Sequence, residues 1–161
     1  MAVPAENLIV QPRNRGTAVG ILLPLLHILH RDPDASLLVL PSDHYVRNEA
    51  TLANSLQAAV REVEHRDDRI VLLGLTPEEA DPELGYIVPF GEGAPPSRAV
   101  SQFVEKPSAA TARSLIERGG LWNSFIFATR GSTLLRTFEA RGPDAVASMR
   151  HIIARGGDRE Q

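Results

Sequence analysis

The sequence predicts an α/β fold, a mostly parallel (mixed) sheet with helices on both faces. Three observations predict it. Short apolar runs, NLIV, SLLVL and RIVLLGL, have the length of strands, and the last two are continuously apolar after their first residue, as strands covered on both faces are. Helix-period segments separate them. The early chain alternates strand and helix, the order that crossover connections require. With 161 residues, 43% of them hydrophobic, the chain is read as one domain over 1–161 with a real core.

Taken in order, NLIV (7–10) reads as a short buried strand. Residues 17–30 read as a helix with Leu22, Leu25, Leu26 and Leu29 on one face. Pro24 inside it should kink the helix or mark a late start. SLLVL (36–40) is a strand, 49–66 a strongly amphipathic helix, and RIVLLGL (69–75) another buried strand. GYIVPF and RAVSQFVEK read as two strands joined by the turn GEGAPPS. Ser108 is placed to cap a helix running to Arg118 and closed by Gly119-Gly120. LWNSFIFAT (121–129) reads as a strand, followed by helices over 132–140 and 143–155.

Composition excludes several functions. The net charge of −3 and pI of 5.9 argue against a nucleic-acid binder, which needs a basic face. Cysteine is absent, which removes disulfides, zinc–thiolate sites and thiol catalysis and fits a cytoplasmic protein. The apolar stretch AVGILLPLLHILH is too short to span a bilayer, so no membrane partner is expected. The start does not read as a signal peptide, because no basic region precedes an apolar run. G-x-G-x-x-G, G-x-x-x-x-G-K-[ST], G-x-S-x-G and H-E-x-x-H do not occur.

Ligands of such sheets bind beyond the carboxyl ends of the strands, so residues just after each apolar run carry the information. Asp43, in LPSDH, is a carboxylate there; it suits a magnesium ion, which takes one or two carboxylates plus phosphate oxygens and water, or else it makes a turn. His44 reads as a turn residue without chemistry. In QPRNRGTA, Gln11 and Asn14 could read a base or sugar edge, and Gly16 permits close backbone approach at a helix start. The plainer account is a strand–turn–helix joint with Thr17 as N-cap.

Lys106 is the only lysine among seventeen basic residues. A compact ammonium fits a crowded phosphate site that a planar guanidinium does not, and Glu105 beside it could accept hydroxyl hydrogen bonds. An ordinary strand-end ion pair is the competing account. Asn123 could bind a sugar hydroxyl, Trp122 reads as core, and Glu78, Glu79, Asp81 and Glu83 read as a solvated acidic loop.

The ordered set QPRNRGTA, VLPSDHYV, LLGLTPEEADPELGYI and FVEKPSAATARSLIERGGLWNSFIF resembles the core of the mannose-1-phosphate guanylyltransferases, within the sugar-1-phosphate nucleotidyltransferases. The likeness covers residues 7 to 140. It implies a Rossmann-like, glycosyltransferase-A-like nucleotidyltransferase fold of which this chain carries the central part. It also implies transfer of a guanylyl group from GTP to mannose 1-phosphate with magnesium as cofactor. By resemblance Gln11, Asn14, Gly16 and Thr17 would hold the nucleotide, and Asp43 the metal. Gly85, Tyr86, Glu105 and Asn123 would hold the sugar, and Lys106 its phosphate, with Lys106 and Asp43 as the catalytic pair.

The sequence departs from that family pattern in places. The glycine-rich G-G-x-G-T-R-L loop and the second metal aspartate are not present, the usual G-Y-G-Y-I reads ELGYI, and W-N-S-G reads WNSF. Little transferase activity from this chain alone is therefore expected, together with either self-association or marginal stability; the protein partners expected are a second copy, as a homo-oligomer, or a complete subunit. Two alternatives accompany the reading: a non-catalytic nucleotide-sugar-binding or regulatory relative, and another sugar-1-phosphate nucleotidyltransferase.

Overall fold

The computed structural model describes residues 3–11, 13–91 and 97–157. After a 3-10 turn at Ala5–Asn7 the elements are α1 (Thr17–Arg31), β1 (Ser36–Val39), α2 (Glu49–His65), β2 (Ile70–Leu75), β3 (Tyr86–Pro89) and β4 (Val100–Val104). They continue with α3 (Ala109–Glu117), β5 (Leu121–Arg130), α4 (Gly131–Arg141) and α5 (Pro143–Gly157). The architecture is α/β, a sheet flanked by helices. The chain divides into two compact units, one made from residues up to Ala35 and from Arg130 onward, the other spanning Ser36–Thr129.

In the first unit α1, α4 and α5 pack on one another. Leu22, Leu25 and Leu26 of α1 are buried, as their spacing predicts. The helix begins at Thr17 behind Gly16, so Pro24 lies inside it and does not mark a late start. The burial of those three leucines offsets the hydrogen bond that a helical proline removes. NLIV is not a strand. Its first residue closes the 3-10 turn, and Leu8 and Val10 remain exposed. A strand requires a partner to share its ladder, and an apolar run does not reveal whether one exists.

The second unit holds the sheet, in the order β1-β5-β3-β4 with β2 also on β5. The expectation of a mostly parallel sheet is corrected here: β2–β5, β3–β4 and β3–β5 all pair antiparallel. Strand β2 is also less covered than its apolar run predicts, with Ile70 and Leu75 exposed and the residues between them half-buried, and such a run carries no information on strand direction. Strands β3 and β4 adjoin as predicted, although residues 92–96 of the expected turn lie outside the described residues.

Helix α2 lays Ala59 and Val63 against Ala128, with Leu38, Val71 and Leu73 around them. Helix α3 lays Ala112 and Leu115 against Tyr86 and Val88. Both helices start on side-chain caps: Asn48 Oδ1 accepts from the Thr51 N–H at 3.0 Å and Ser108 Oγ from the Thr111 N–H at 3.2 Å. Gly119, at φ 77°, then closes α3 as its sequence predicts, with the Gly120 N–H donating to Leu115 O at 2.8 Å.

The antiparallel reversal determines where chemistry can gather. Leu75 at the end of β2 pairs with Trp122, Trp122 with Tyr86 at the start of β3, and Tyr86 with Val104 at the end of β4. The carboxyl ends of β2 and β4 therefore meet the amino end of β3 and the first residues of β5 along one lip of the sheet.

Candidate functional site

At that lip a cavity of about 740 Å³ is lined by Asp43, Tyr45, Arg47, Thr76, Leu84 and Asn123, among others. Asp43 follows β1 on an exposed loop, and among the described residues its carboxylate has no hydrogen-bond or ion-pair partner. Among the described residues no group of three or more His, Cys, Asp or Glu side chains is gathered to hold a metal ion. A lone free carboxylate facing a cavity still fits magnesium, which completes its octahedron from phosphate oxygens and water. Tyr45 and Arg47 also line the cavity, and only their position after Asp43 in the sequence could have suggested them.

Asn123 reaches the cavity through an irregularity in β5. Leu72 pairs with Phe127 and Gly74 with Asn123, so three residues of β5, 124–126, stand opposite the one residue Leu73 of β2. Ser124 repairs the gap. Its Oγ donates to Leu73 O at 2.6 Å and accepts from the Ile126 N–H at 3.2 Å. Phe125 turns the chain with a left-handed φ of 58°, and its N–H donates to Asn123 Oδ1 at 3.1 Å. The amide oxygen of Asn123 is thus held, and its NH₂ group has no hydrogen-bond partner among the described residues, so it can donate to a ligand.

Gly85 sits against both neighbours on the lip. Its carbonyl accepts from the Asn123 N–H at 2.8 Å, and a Cβ at this position would lie 2.6 Å from Glu105 Oε2 and 3.5 Å from Asn123 Cβ. Gly85, Glu105 and Asn123 therefore form one cluster, with Asn123 shared between it and the cavity of Asp43. Glu105 and Lys106 do not line that cavity. Lys106 carries a left-handed φ of 44°, and its Nζ lies 3.5 Å from Glu83 Oε2. Glu83 is solvated, as its acidic run predicts, and the pairing with Lys106 is what sequence reasoning did not anticipate.

The Tyr86 side chain is fully buried and its hydroxyl is engaged by Asp81 and Trp122. It fixes the loop before β3, and with the residue wholly buried neither its side chain nor its backbone is exposed to a ligand. Trp122 is partly buried against the core cluster of Tyr86, Val88, Ala112 and Leu115, and it also lines the cavity of Asp43.

In the other compact unit the remaining residues gather at the head of α1. Asn14 Oδ1 accepts from the Gly16 N–H at 2.9 Å, and the N-cap is Gly16, not Thr17. Gln11 lies beside the first turn of the helix, its Oε1 3.3 Å from where a Cβ on Gly20 would stand. Its Nε2 is buried without a hydrogen-bond partner among the described residues, an orphaned donor of the kind a ligand acceptor satisfies. Asn14 and Thr17 are exposed. Gly16 has φ 84° and ψ 167°, a conformation essentially confined to glycine. Gly16→Ala is expected to destabilise the protein by about 1–3 kcal/mol, read as a lowered urea midpoint at unchanged slope.

Comparison with known proteins gives a consistent result. The sequence model of the family described as nucleotidyl transferase matches residues 3–156. The xanthan biosynthesis protein XanB of Xanthomonas campestris pv. campestris is 33% identical over 162 residues, which is 99% of this chain and 33% of that protein. A mannose-1-phosphate guanylyltransferase of Salmonella muenchen is 34% identical over 155 residues, 92% of this chain and 32% of its own. The chain thus spans about a third of the length of these curated relatives. A solved structure from Thermus thermophilus, named a mannose-1-phosphate geranyltransferase, superposes with a TM-score of 0.82 at 31% identity, covering 91% of this chain and 42% of that one.

Proposed function

The chain belongs to the nucleotidyl transferase family, and we propose on that premise that its site serves guanylyl transfer from GTP to mannose 1-phosphate. A phosphate oxygen of the sugar phosphate attacks the α-phosphorus of GTP in line. The new P–O bond forms as the bond to the β-phosphate breaks, giving GDP-mannose, and pyrophosphate leaves with the bonding electrons. Such transfers are accelerated by positioning and by neutralising charge on the phosphoryl oxygens.

The observation that carries the proposal is the free Asp43 carboxylate facing a cavity that Asn123 also lines, with Gly85 and Glu105 packed beside Asn123. Relatives named as mannose-1-phosphate guanylyltransferases supply the substrate class. In this reading Asp43 would hold a magnesium ion, which when bound neutralises phosphate charge. Asn123 donates its free NH₂ to a sugar hydroxyl, and Glu105 accepts from another. Gly85, which is buried, leaves room for the Glu105 carboxylate beside Asn123. Lys106 meets the sugar phosphate as a point charge. Gln11, Asn14, Gly16 and Thr17 receive the guanine, the unpaired Gln11 Nε2 donating to a base acceptor.

Calorimetric titration of the chain with GTP, other nucleoside triphosphates and mannose 1-phosphate, each with and without magnesium, tests this. GTP and mannose 1-phosphate are expected to bind, magnesium to strengthen GTP binding, and Asp43→Asn to remove that strengthening. Equal affinity for every nucleotide would overturn the guanylyl assignment. A magnesium effect that survives Asp43→Asn would overturn the role of Asp43. A pyrophosphate-release assay run beside it separates turnover from binding alone.

A further inference from the structure

Lys106 is the chain's only ammonium side chain, and among the described residues its only ion-pair partner is Glu83. We propose that Glu83 stands in for the ligand's anion: it engages Lys106 in the free protein, and a phosphate monoester has to displace it in order to bind. Glu83 is thereby an affinity-setting residue of the site. The inference rests on the assignment of Lys106 to the sugar phosphate.

Three observations carry it. The pair is open to solvent, with the Lys106 and Glu83 side chains 60% and 80% exposed at a 3.5 Å separation. An ion pair this exposed contributes little to stability, so an incoming anion can exchange with it. A phosphate offers more charge and more acceptor oxygens than a carboxylate, so its charge-assisted hydrogen bonds favour the exchange.

Second, both backbones are held. The Glu83 N–H donates to Asp81 Oδ1 at 2.8 Å, and the Tyr86 hydroxyl pins Asp81 through its N–H and carbonyl, each at 2.9 Å. Lys106 lies two residues beyond the end of β4 in a left-handed conformation. The carboxylate cannot drift away with its loop, and after displacement it stays near the bound anion as a like charge.

Third, Glu83 has no other ion-pair role among the described residues, since Lys106 is its single partner. Its substitution therefore disturbs little else, which makes the test clean.

The experiment is calorimetric titration of mannose 1-phosphate, with free mannose as the uncharged control, into the wild-type chain, E83Q, K106A and the double variant. E83Q is expected to bind mannose 1-phosphate roughly two- to fivefold more tightly, a gain set by the usual strength of an exposed ion pair. Mannose affinity and the melting temperature should not change, and the gain should vanish in the K106A background. If E83Q binds mannose 1-phosphate no more tightly than wild type while K106A loses affinity, the inference fails and the assignment of Lys106 stands. If K106A binds as well as wild type, or if no form binds, the assignment falls and takes the inference with it.

Discussion

Tyr86→Ala is expected to cost about 3–5 kcal/mol, the range for truncating a fully buried aromatic side chain. Tyr86 is 0% exposed and packs with Val88, Ala112 and Leu115 where α3 meets the sheet. Its hydroxyl donates to Asp81 O and accepts from the Asp81 N–H, both at 2.9 Å, and from Trp122 Nε1–H at 3.1 Å. Tyr86→Phe keeps the ring and separates the two contributions. It strands a partly buried backbone N–H and an indole N–H, at about 1–3 kcal/mol. Urea denaturation followed by circular dichroism orders the three proteins, with wild type above phenylalanine above alanine. A phenylalanine variant with the wild-type midpoint would show that the hydroxyl network adds nothing beyond packing.

The same network shows which features the sequence makes legible. Helices α2 and α3 are readable because their causes are local. Apolar residues recur with helical period, Ser108 caps α3, and Gly119 adopts the conformation that ends it. Asp43 and Asn123 are readable as candidates because each follows or occupies an apolar run, and they do line one cavity. The direction of β3 and β5 is not readable, since an apolar strand looks the same whichever way it runs. The ladder that NLIV is expected to join is likewise a matter of partners distant in the chain.

The irregularity in β5 is hidden for a related reason. Phenylalanine at 125 conceals a left-handed turn that glycine would have announced. That conformation costs a non-glycine residue roughly 1–2 kcal/mol. The edge-on contact of Phe125 with Phe127, ring centroids 6.1 Å apart, offsets part of the cost. Glu83 reads with its acidic neighbours as solvated because charge runs usually are. Its pairing with Lys106 depends on the start of β3 meeting the end of β4, which is a tertiary fact.

Lys106→Arg is expected to weaken mannose 1-phosphate binding although it keeps the charge, and this follows from Glu83. An ammonium at 3.5 Å holds one carboxylate oxygen loosely. A guanidinium can grip both oxygens of Glu83 in parallel, a stronger and more directional pair. The competitor inside the protein would then be harder to displace, and the longer planar head would enter a site built on a strained backbone. Removing the charge altogether, in Lys106→Ala, forfeits a charge-assisted contact and should lower affinity on the order of 10–100-fold. The arginine variant should fall between alanine and wild type, roughly 3–10-fold weaker than wild type. Adding Glu83→Gln to Lys106→Arg should recover most of that loss, because the bidentate competitor is gone. If the arginine variant binds as tightly as wild type, the preference for lysine at this position has no basis in the pairing with Glu83. If it binds weakly and Glu83→Gln restores nothing, head-group shape alone excludes arginine.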